Sequence, residues 1–364
     1  MPFSYFHGNA EVVRNLREML AREHFPHAVI LSGPQGSGKF TLSQMIAKAM
    51  NCLEPPTTDS LPDFCGKCTN CTRIAEADAL EERFAEAVET RENLREADKR
   101  DTRIVIQTHP DVMVIPPDPP QMLVKVDQVR HLIREIYYRP VEARQRVYIF
   151  SEADFMKEAA NSLLKVLEEP PDSATIFLLT DNSSALLPTI RSRCMQLRLA
   201  ALAIPEVEAY LAEVRPELKP PECSLVARLC GGGLGCARSF DLAKYLVARL
   251  DALALLGPAL GAKEHSDLFR VTDSYRSGAD GKARTESTIR TLYSLLEDML
   301  FLKSGTSGLV RNTDIEQQLH KMSEQVDFAW IAEAANRLGE LESGMRRNLM
   351  RGLALDAFAT SLER

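Results

Sequence analysis

Gly33-Pro34-Gln35-Gly36-Ser37-Gly38-Lys39-Phe40 decides the fold. The octet meets the P-loop pattern G-x-x-x-x-G-K-[ST] at every fixed position except the last, where Phe40 stands in place of a hydroxyl. Gly33, Gly36 and Gly38 allow backbone N–H groups to turn inward around phosphate, and Lys39 would reach the terminal phosphates. The missing hydroxyl is the group that holds Mg²⁺. Upstream, His27 to Ser32 is an apolar, strand-like run; downstream, Leu42, Met45, Ile46 and Ala49 recur at helical spacing. Strand, glycine-rich turn and helix thus follow in the required order. Thr41 would supply a hydroxyl only through a one-residue shift, on another side of the helix. The expectation is a loop able to cradle phosphate but poor in metal-assisted hydrolysis, with ATP or ADP binding left open.

The surrounding segments extend an α/β pattern. His109 to Ile115 reads as a strand opened by Pro110, followed by a proline-rich loop at 116–120. A helix then starts near Val126, with Asp127 as N-cap and Val129, Leu132, Ile133 and Ile136 as its apolar stripe. Arg146 to Phe150 and Thr175 to Thr180 read as buried strands on either side of a helix from Lys157 to Glu168. Such alternation predicts a parallel sheet flanked by helices. In P-loop ATPases the second of these strands ends in an acidic pair for metal and water. Here it leads into Ser151-Glu152-Ala153-Asp154, so Ser151 stands where the metal-holding Asp is expected. Glu152 and Asp154 read equally well as caps of the following helix.

Cys65, Cys68 and Cys71 form C-x2-C-x2-C, and Cys52 lies at the end of the P-loop helix. Four thiolates for one tetrahedral site point to structural zinc, ahead of an iron–sulfur cluster or reactive thiols. Cys194, Cys223, Cys230 and Cys236 lack such spacing and read as small buried hydrophobes. Between 75 and 103 lies a charged insertion in which Leu80, Phe84 and Val88 recur every four residues and Glu96 can pair with Arg100, a solvated helix or helical hairpin. Beyond about residue 200 strand signals fade. Helical periodicity covers Pro205 to Val214, Pro221 to Cys230 and Ser239 to Leu253, and continues from Gly257 to the end.

The chain has 364 residues, 45% hydrophobic and 26% charged, with a formal net charge of −7. That balance argues against a globally basic nucleic-acid binder, so any DNA contact depends on local placement. The start lacks a basic-then-apolar segment and no run of about 18 apolar residues occurs. The expectation is a cytoplasmic protein with no membrane partner.

The ordered set His7-Gly8-Asn9, Pro26-His27-Ala28, the near-P-loop, the four cysteines, His109-Pro110-Asp111-Val112, Val126 to Arg130, Asn161 to Pro171 and Leu186 to Cys194 resembles bacterial clamp-loader subunits of the AAA+ family, and among them the delta-prime class of DNA polymerase III. The matching motifs cover roughly the first 200 residues. The resemblance implies an AAA+ domain at 1–200 with a zinc module at 52–71, a helical lid at 201–255 and an all-α collar at 256–364. It implies a non-hydrolysing subunit of a hetero-pentamer with gamma/tau and delta subunits, which helps place the sliding clamp on primed DNA. Arg193, in Ser192-Arg193-Cys194, matches the arginine finger offered to a neighbouring subunit's ATP, while the lid position of a nucleotide-sensing Arg falls on Gly235, with Arg238 out of register. Lys165 is a possible phosphate contact on DNA, against the commoner reading of a solvated lysine. The insertion has no counterpart in the usual pattern. The competing expectation is an active gamma/tau-type ATPase in which Thr41 and Glu152 compensate.

Overall fold

The computed structural model describes residues 2–22, 25–95, 98–99, 102–257, 271–273, 275, 280–345 and 350–362. The Glu96–Arg100 pairing and the expected helical stretch at 258–270 lie outside these residues. The chain divides into two compact units, one of residues 1–202 and 232–236, the other of 203–231 and 237–364.

The first unit is built on a sheet whose strands are β1 (Ala28–Ser32), β4 (Ile106–His109), β5 (Val112–Ile115), β6 (Arg146–Phe150), β7 (Ala174–Thr180) and β8 (Met195–Arg198); β2 (Thr57–Thr58) and β3 (Leu61–Pro62) form a separate small hairpin. The order is β4-β5-β6-β7-β1-β8, with β4 antiparallel and every other pairing parallel. β1, β5, β6 and β7 are buried along their whole length because alternate residues feed two cores. Val29, Leu31, Val147, Ile149, Phe177 and Leu179 point to one, shared with Leu42, Ile46 and Cys52. Ala28, Ile30, Tyr148, Phe150, Ile176 and Leu178 point to the other, shared with Val129, Leu132, Leu163 and Val166. Helices α1 (Ala10–Ala21) and α2 (Lys39–Asn51) belong to the first core, α5 (Val126–Glu135) and α6 (Lys157–Glu168) to the second. Asn9, the N-cap of α1, exchanges two hydrogen bonds with Ala200, donating to its carbonyl at 3.2 Å and accepting its N–H at 2.7 Å, which ties the chain start to the end of β8.

Three local expectations change. The strand expected over His109 to Ile115 is β5, starting at Val112, and an additional strand, β4, precedes it and turns into it at Pro110-Asp111. The turn is held because the buried Asp111 carboxylate accepts N–H groups from Val141, Glu142 and Ala143, each at 2.8 Å, and faces Arg146 at 3.5 Å. The N-cap before α5 is Lys125, whose N–H is taken by Gln128 Oε1 at 2.9 Å; Asp127 sits in the first turn and pairs with Arg130. Helix α6 begins after Met156, so neither Glu152 nor Asp154 caps it.

After α3 (Thr69–Ala75), which carries the last cysteine of the module, the insertion forms a short 3₁₀ turn (Glu76–Asp78) and α4 (Leu80–Glu92). No residue of α4 is fully buried, and Leu80 and Phe84 pack only partly against the first core. Arg91 anchors its end, donating to both Asp118 carboxylate oxygens at 2.8 Å. Cys223 is a buried free thiol, as expected, and Cys194 is only half-buried, whereas Cys230 and Cys236 are disulfide-bonded, a state that spacing alone does not encode.

The second unit is helical: α8 (Ile204–Val214), α9 (Pro220–Leu229), α10 (Leu242–Leu256), α11 (Asp280–Lys303), α12 (Glu316–Glu324), α13 (Phe328–Met345) and α14 (Arg351–Ser361). Its core includes Leu255, Leu292, Leu296, Met299, Trp330, Leu338 and Phe358. Buried polar groups cross it as well. Asp298 accepts the Arg311 and Asn312 N–H groups at 2.8 and 2.9 Å and the Asn312 side-chain amide at 2.8 Å. Asn312 Oδ1 in turn accepts from Tyr245 at 2.6 Å and Arg249 at 3.0 Å.

Burial works against the Asp111 charge, but the Glu142, Val141 and Ala143 N–H groups and Arg146 overcome it and hold the carboxyl below its usual range. A depressed folded-state pKa stabilises fully above the unfolded value near 3.9 and is lost as pH falls through the folded value. Asp111→Ala should therefore cost about 3 kcal/mol in urea unfolding at pH 7, and the deficit relative to wild type should shrink as acid titrates the native carboxylate.

Candidate functional site

The P-loop occupies the turn from the carboxyl end of β1 into α2, where a parallel sheet opens its crevice. Gly36 and Gly38 adopt φ of +74° and +87°, values that other residues take only with strain. The loop lysine is engaged within its own chain. Lys39 Nζ donates to the Gly33 carbonyl at 2.7 Å and the Pro34 carbonyl at 2.9 Å, and pairs with Asp181 Oδ1 at 2.5 Å. An ammonium has three N–H donors, and all three are used. The Gly36 carbonyl accepts the Gly235 N–H at 2.8 Å, and a Cβ at Gly36 would lie 2.4 Å from the Cys236 nitrogen. Gly235, the position to which the resemblance assigns the nucleotide-sensing Arg, thus brings backbone against the loop instead of a cation.

Asp181, at the end of β7, was missed in the sequence because a lone acid after an apolar strand carries no pattern; it becomes visible once β7 pairs with β1 and carries it to Lys39. Glu152 keeps an exposed edge. Partial burial, then Asp154 and Asp181, raise its carboxyl pKa, and Lys39 opposes them. Phe40 is half-buried and packs against the first core, while Thr41 is exposed. Neither presents a hydroxyl in place of the missing one.

Arg193 follows the short helix α7 (Pro188–Arg191). Its guanidinium donates to the Thr189 carbonyl at 2.9 Å and pairs with Glu168 at 2.7 Å, with side chains 34% and 50% exposed. A pair this open contributes at most about 1 kcal/mol, so the guanidinium is readily released to a stronger acceptor. Lys165 is exposed on α6.

The four cysteines of 52–71 do come together, their sulfurs all within 4.8 Å of one another. Cys52 is the C-cap of α2, Cys65 and Cys68 lie on the turn around Gly66, and Cys71 is in α3. Thiolates bound tetrahedrally at about 2.3 Å lie about 3.8 Å apart, so the cluster needs only slight contraction to hold a metal ion. The backbone is already turned toward the sulfurs. Cys52 Sγ accepts the Cys65 N–H at 3.3 Å, and Cys65 Sγ accepts the Lys67 and Cys68 N–H groups at 3.4 and 3.3 Å. Burial pushes the Cys65 thiol up, but those N–H donors overcome it and draw its pKa to about 7. Burial raises Cys52 and Cys71, so a bound cation would have to displace their protons.

The family model described as DNA polymerase III, delta subunit, matches residues 8–203. Subunit delta' of DNA polymerase III from Bacillus subtilis is 25% identical over 312 residues, covering 85% of this chain and 82% of that protein. The Pseudomonas aeruginosa delta' subunit is 29% identical over 215 residues, covering 58% and 54%. Subunit tau/gamma from Haemophilus influenzae is 26% identical over 290 residues, covering 79% of this chain but 34% of that protein, so the chain spans only about a third of that relative.

Cys71→Ser should lower metal retained after dialysis, read by elemental analysis, and should lower the thermal midpoint of the first unit. Cys223→Ser should leave metal content unchanged.

Proposed function

The chain belongs to the DNA polymerase III, delta subunit family, and on that premise we propose that it is a delta-prime-like clamp-loader subunit that does not hydrolyse ATP itself. In this reading it assembles with gamma/tau and delta subunits, helps load the sliding clamp on primed DNA, and lends Arg193 to the nucleotide of a neighbour. The observation that carries it is the saturated P-loop lysine. With its three donors on Gly33, Pro34 and Asp181, Lys39 must break a carboxylate pair and two carbonyl contacts before it can meet a phosphate. Phe40 and Ser151 stand where the Mg²⁺-holding hydroxyl and carboxylate are expected, so the groups that would offset phosphoryl charge are weakened together. Arg193 has the opposite character, a half-exposed cation on a weak tether. A guanidinium beside a γ-phosphate offsets charge developing in phosphoryl transfer, and its fork geometry suits the phosphate oxygens.

The four cysteines serve in this reading as a structural zinc site: all four positions are filled by protein sulfur, leaving none for water or substrate. The division into AAA+ domain, lid at 201–255 and collar at 256–364 belongs to the same proposal. A second reading, an active gamma/tau-type ATPase, is favoured by the tau/gamma relative and by Ser37 Oγ, buried without a hydrogen-bond partner in the P-loop. The exposed Thr41 weighs against it.

Steady-state ATPase of the reconstituted loader separates the two. Arg193→Ala in this subunit should slow turnover at the receiving site by about 10³-fold, a typical loss for an arginine finger, whereas Lys39→Ala should leave turnover within about twofold. A crippled Lys39→Ala complex would establish that the chain's own pocket is active.

A further inference from the structure

We propose that the four-cysteine centre anchors the N-terminal segment Phe3–Phe6 on the P-loop. The path of contacts runs unbroken through the first unit. Cys65 is fixed to Cys52 through its N–H. Two residues earlier, the fully buried Asp63 accepts at Oδ1 the N–H of Phe64 at 2.8 Å and that of Phe3 at 3.3 Å. The Phe3 and Phe64 rings meet edge to face, with centroids 5.6 Å apart at 82°. Lys48 of α2 lies 5.9 Å from the Phe64 ring centre, and Arg17 of α1 lies 5.2 Å from that of Phe3. The Arg17 guanidinium also donates to the carbonyls of Thr58, Leu61 and Pro62, on the hairpin that leads into the cysteines.

From Phe3 the chain makes one 3₁₀ turn, Phe3–Tyr5, closed by the Phe6 N–H on the Phe3 carbonyl at 3.0 Å. The turn delivers the Phe6 ring to Gly38, the last glycine of the P-loop. A Cβ added there would fall 2.8 and 2.9 Å from the ring's Cε2 and Cζ. Gly38 is the N-cap of α2 and the residue before Lys39, so Phe6 rests on the turn that points backbone N–H groups toward a phosphate.

Apart from the Arg17 bonds and the Asp63 N–H on the Pro56 carbonyl at 2.9 Å, the segment between the cysteines is a short hairpin. β2 and β3 are two residues each, too short to be stable by pairing alone. Metal-bound sulfurs would fix Cys52 and Cys65, and through them Asp63 and Phe64, the seat of Phe3. Loss of that seat frees Phe6 and uncovers Gly38. Metal at the cysteines and access to the P-loop thereby oppose each other, a role for the module that neither folding alone nor DNA contact requires.

The test is hydrogen exchange of the full-length chain by mass spectrometry, with metal content measured first, on zinc-loaded protein, chelated protein and zinc-loaded Asp63→Ala. The substitution keeps all four sulfurs but removes the acceptor that links them to Phe3. Exchange in residues 3–6 and 36–40 should quicken about tenfold in Asp63→Ala, as expected for losing about one buried hydrogen bond, with zinc retained and Ala174–Thr180 unchanged. Chelation should do the same, and zinc should reverse it. If chelation also quickens Ala174–Thr180, the domain has melted and the Asp63→Ala sample decides. Unchanged exchange at 3–6 and 36–40 in metal-loaded Asp63→Ala overturns the anchoring alone. A chain that retains no metal overturns the zinc reading, on which this proposal rests, and the proposal with it.

Discussion

β1 has no residue that faces water, and the first unit is organised around that constraint. A strand whose odd and even side chains are both buried must have protein on each face and a hydrogen-bonded neighbour on each edge. β7 and β8 supply the edges, and α2 and α6 bring residues to the two cores. The carboxyl end of β1 is then the one part of the strand free to turn outward, and the P-loop begins there. The glycines sit where the fold permits a phosphate-binding turn, and the same crowding brings Asp181 and Gly235 close enough to occupy it.

Much of this was legible along the chain. Runs such as Val147-Tyr148-Ile149-Phe150 and Ile176-Phe177-Leu178-Leu179 are apolar without alternation, the mark of strands covered on both faces, and their order with intervening helices yields a parallel sheet. The cysteine cluster was legible because metal-ligand spacing is local. What escaped depended on distant partners. Asp111 looks like part of a strand until the N–H groups of Val141 to Ala143, about thirty residues on, bend the backbone around its carboxylate. The state of Lys39 rests on Asp181, 142 residues away, and no motif encodes that approach. The Phe6 seat on Gly38 was equally hidden, since a phenylalanine near the chain start has no signal of its own.

The two charged groups most relevant to nucleotide chemistry differ in how tightly the chain holds them. Lys39 is 11% exposed and bonded on three sides, so its reorganisation is costly. Arg193 keeps one carbonyl contact, a long hydroxyl contact and an open ion pair. In the proposed role this contrast is what a donor subunit requires: its own cradle stays closed, while the cation it offers outward is only lightly retained.

The Asp298–Asn312 network bears on how the helical unit finds a single arrangement. Leucine-rich helices pack tolerably after sliding by one turn, because one aliphatic contact replaces another. A buried carboxylate has no such freedom, since only one alignment sets Asp298 beneath the Arg311 and Asn312 amides and leaves Asn312 Oδ1 to Tyr245 and Arg249. Every slipped alignment strands an acid in an apolar interior. The network therefore works as a vernier: it adds little net adhesion between helices and converts a continuum of near-equivalent packings into one register.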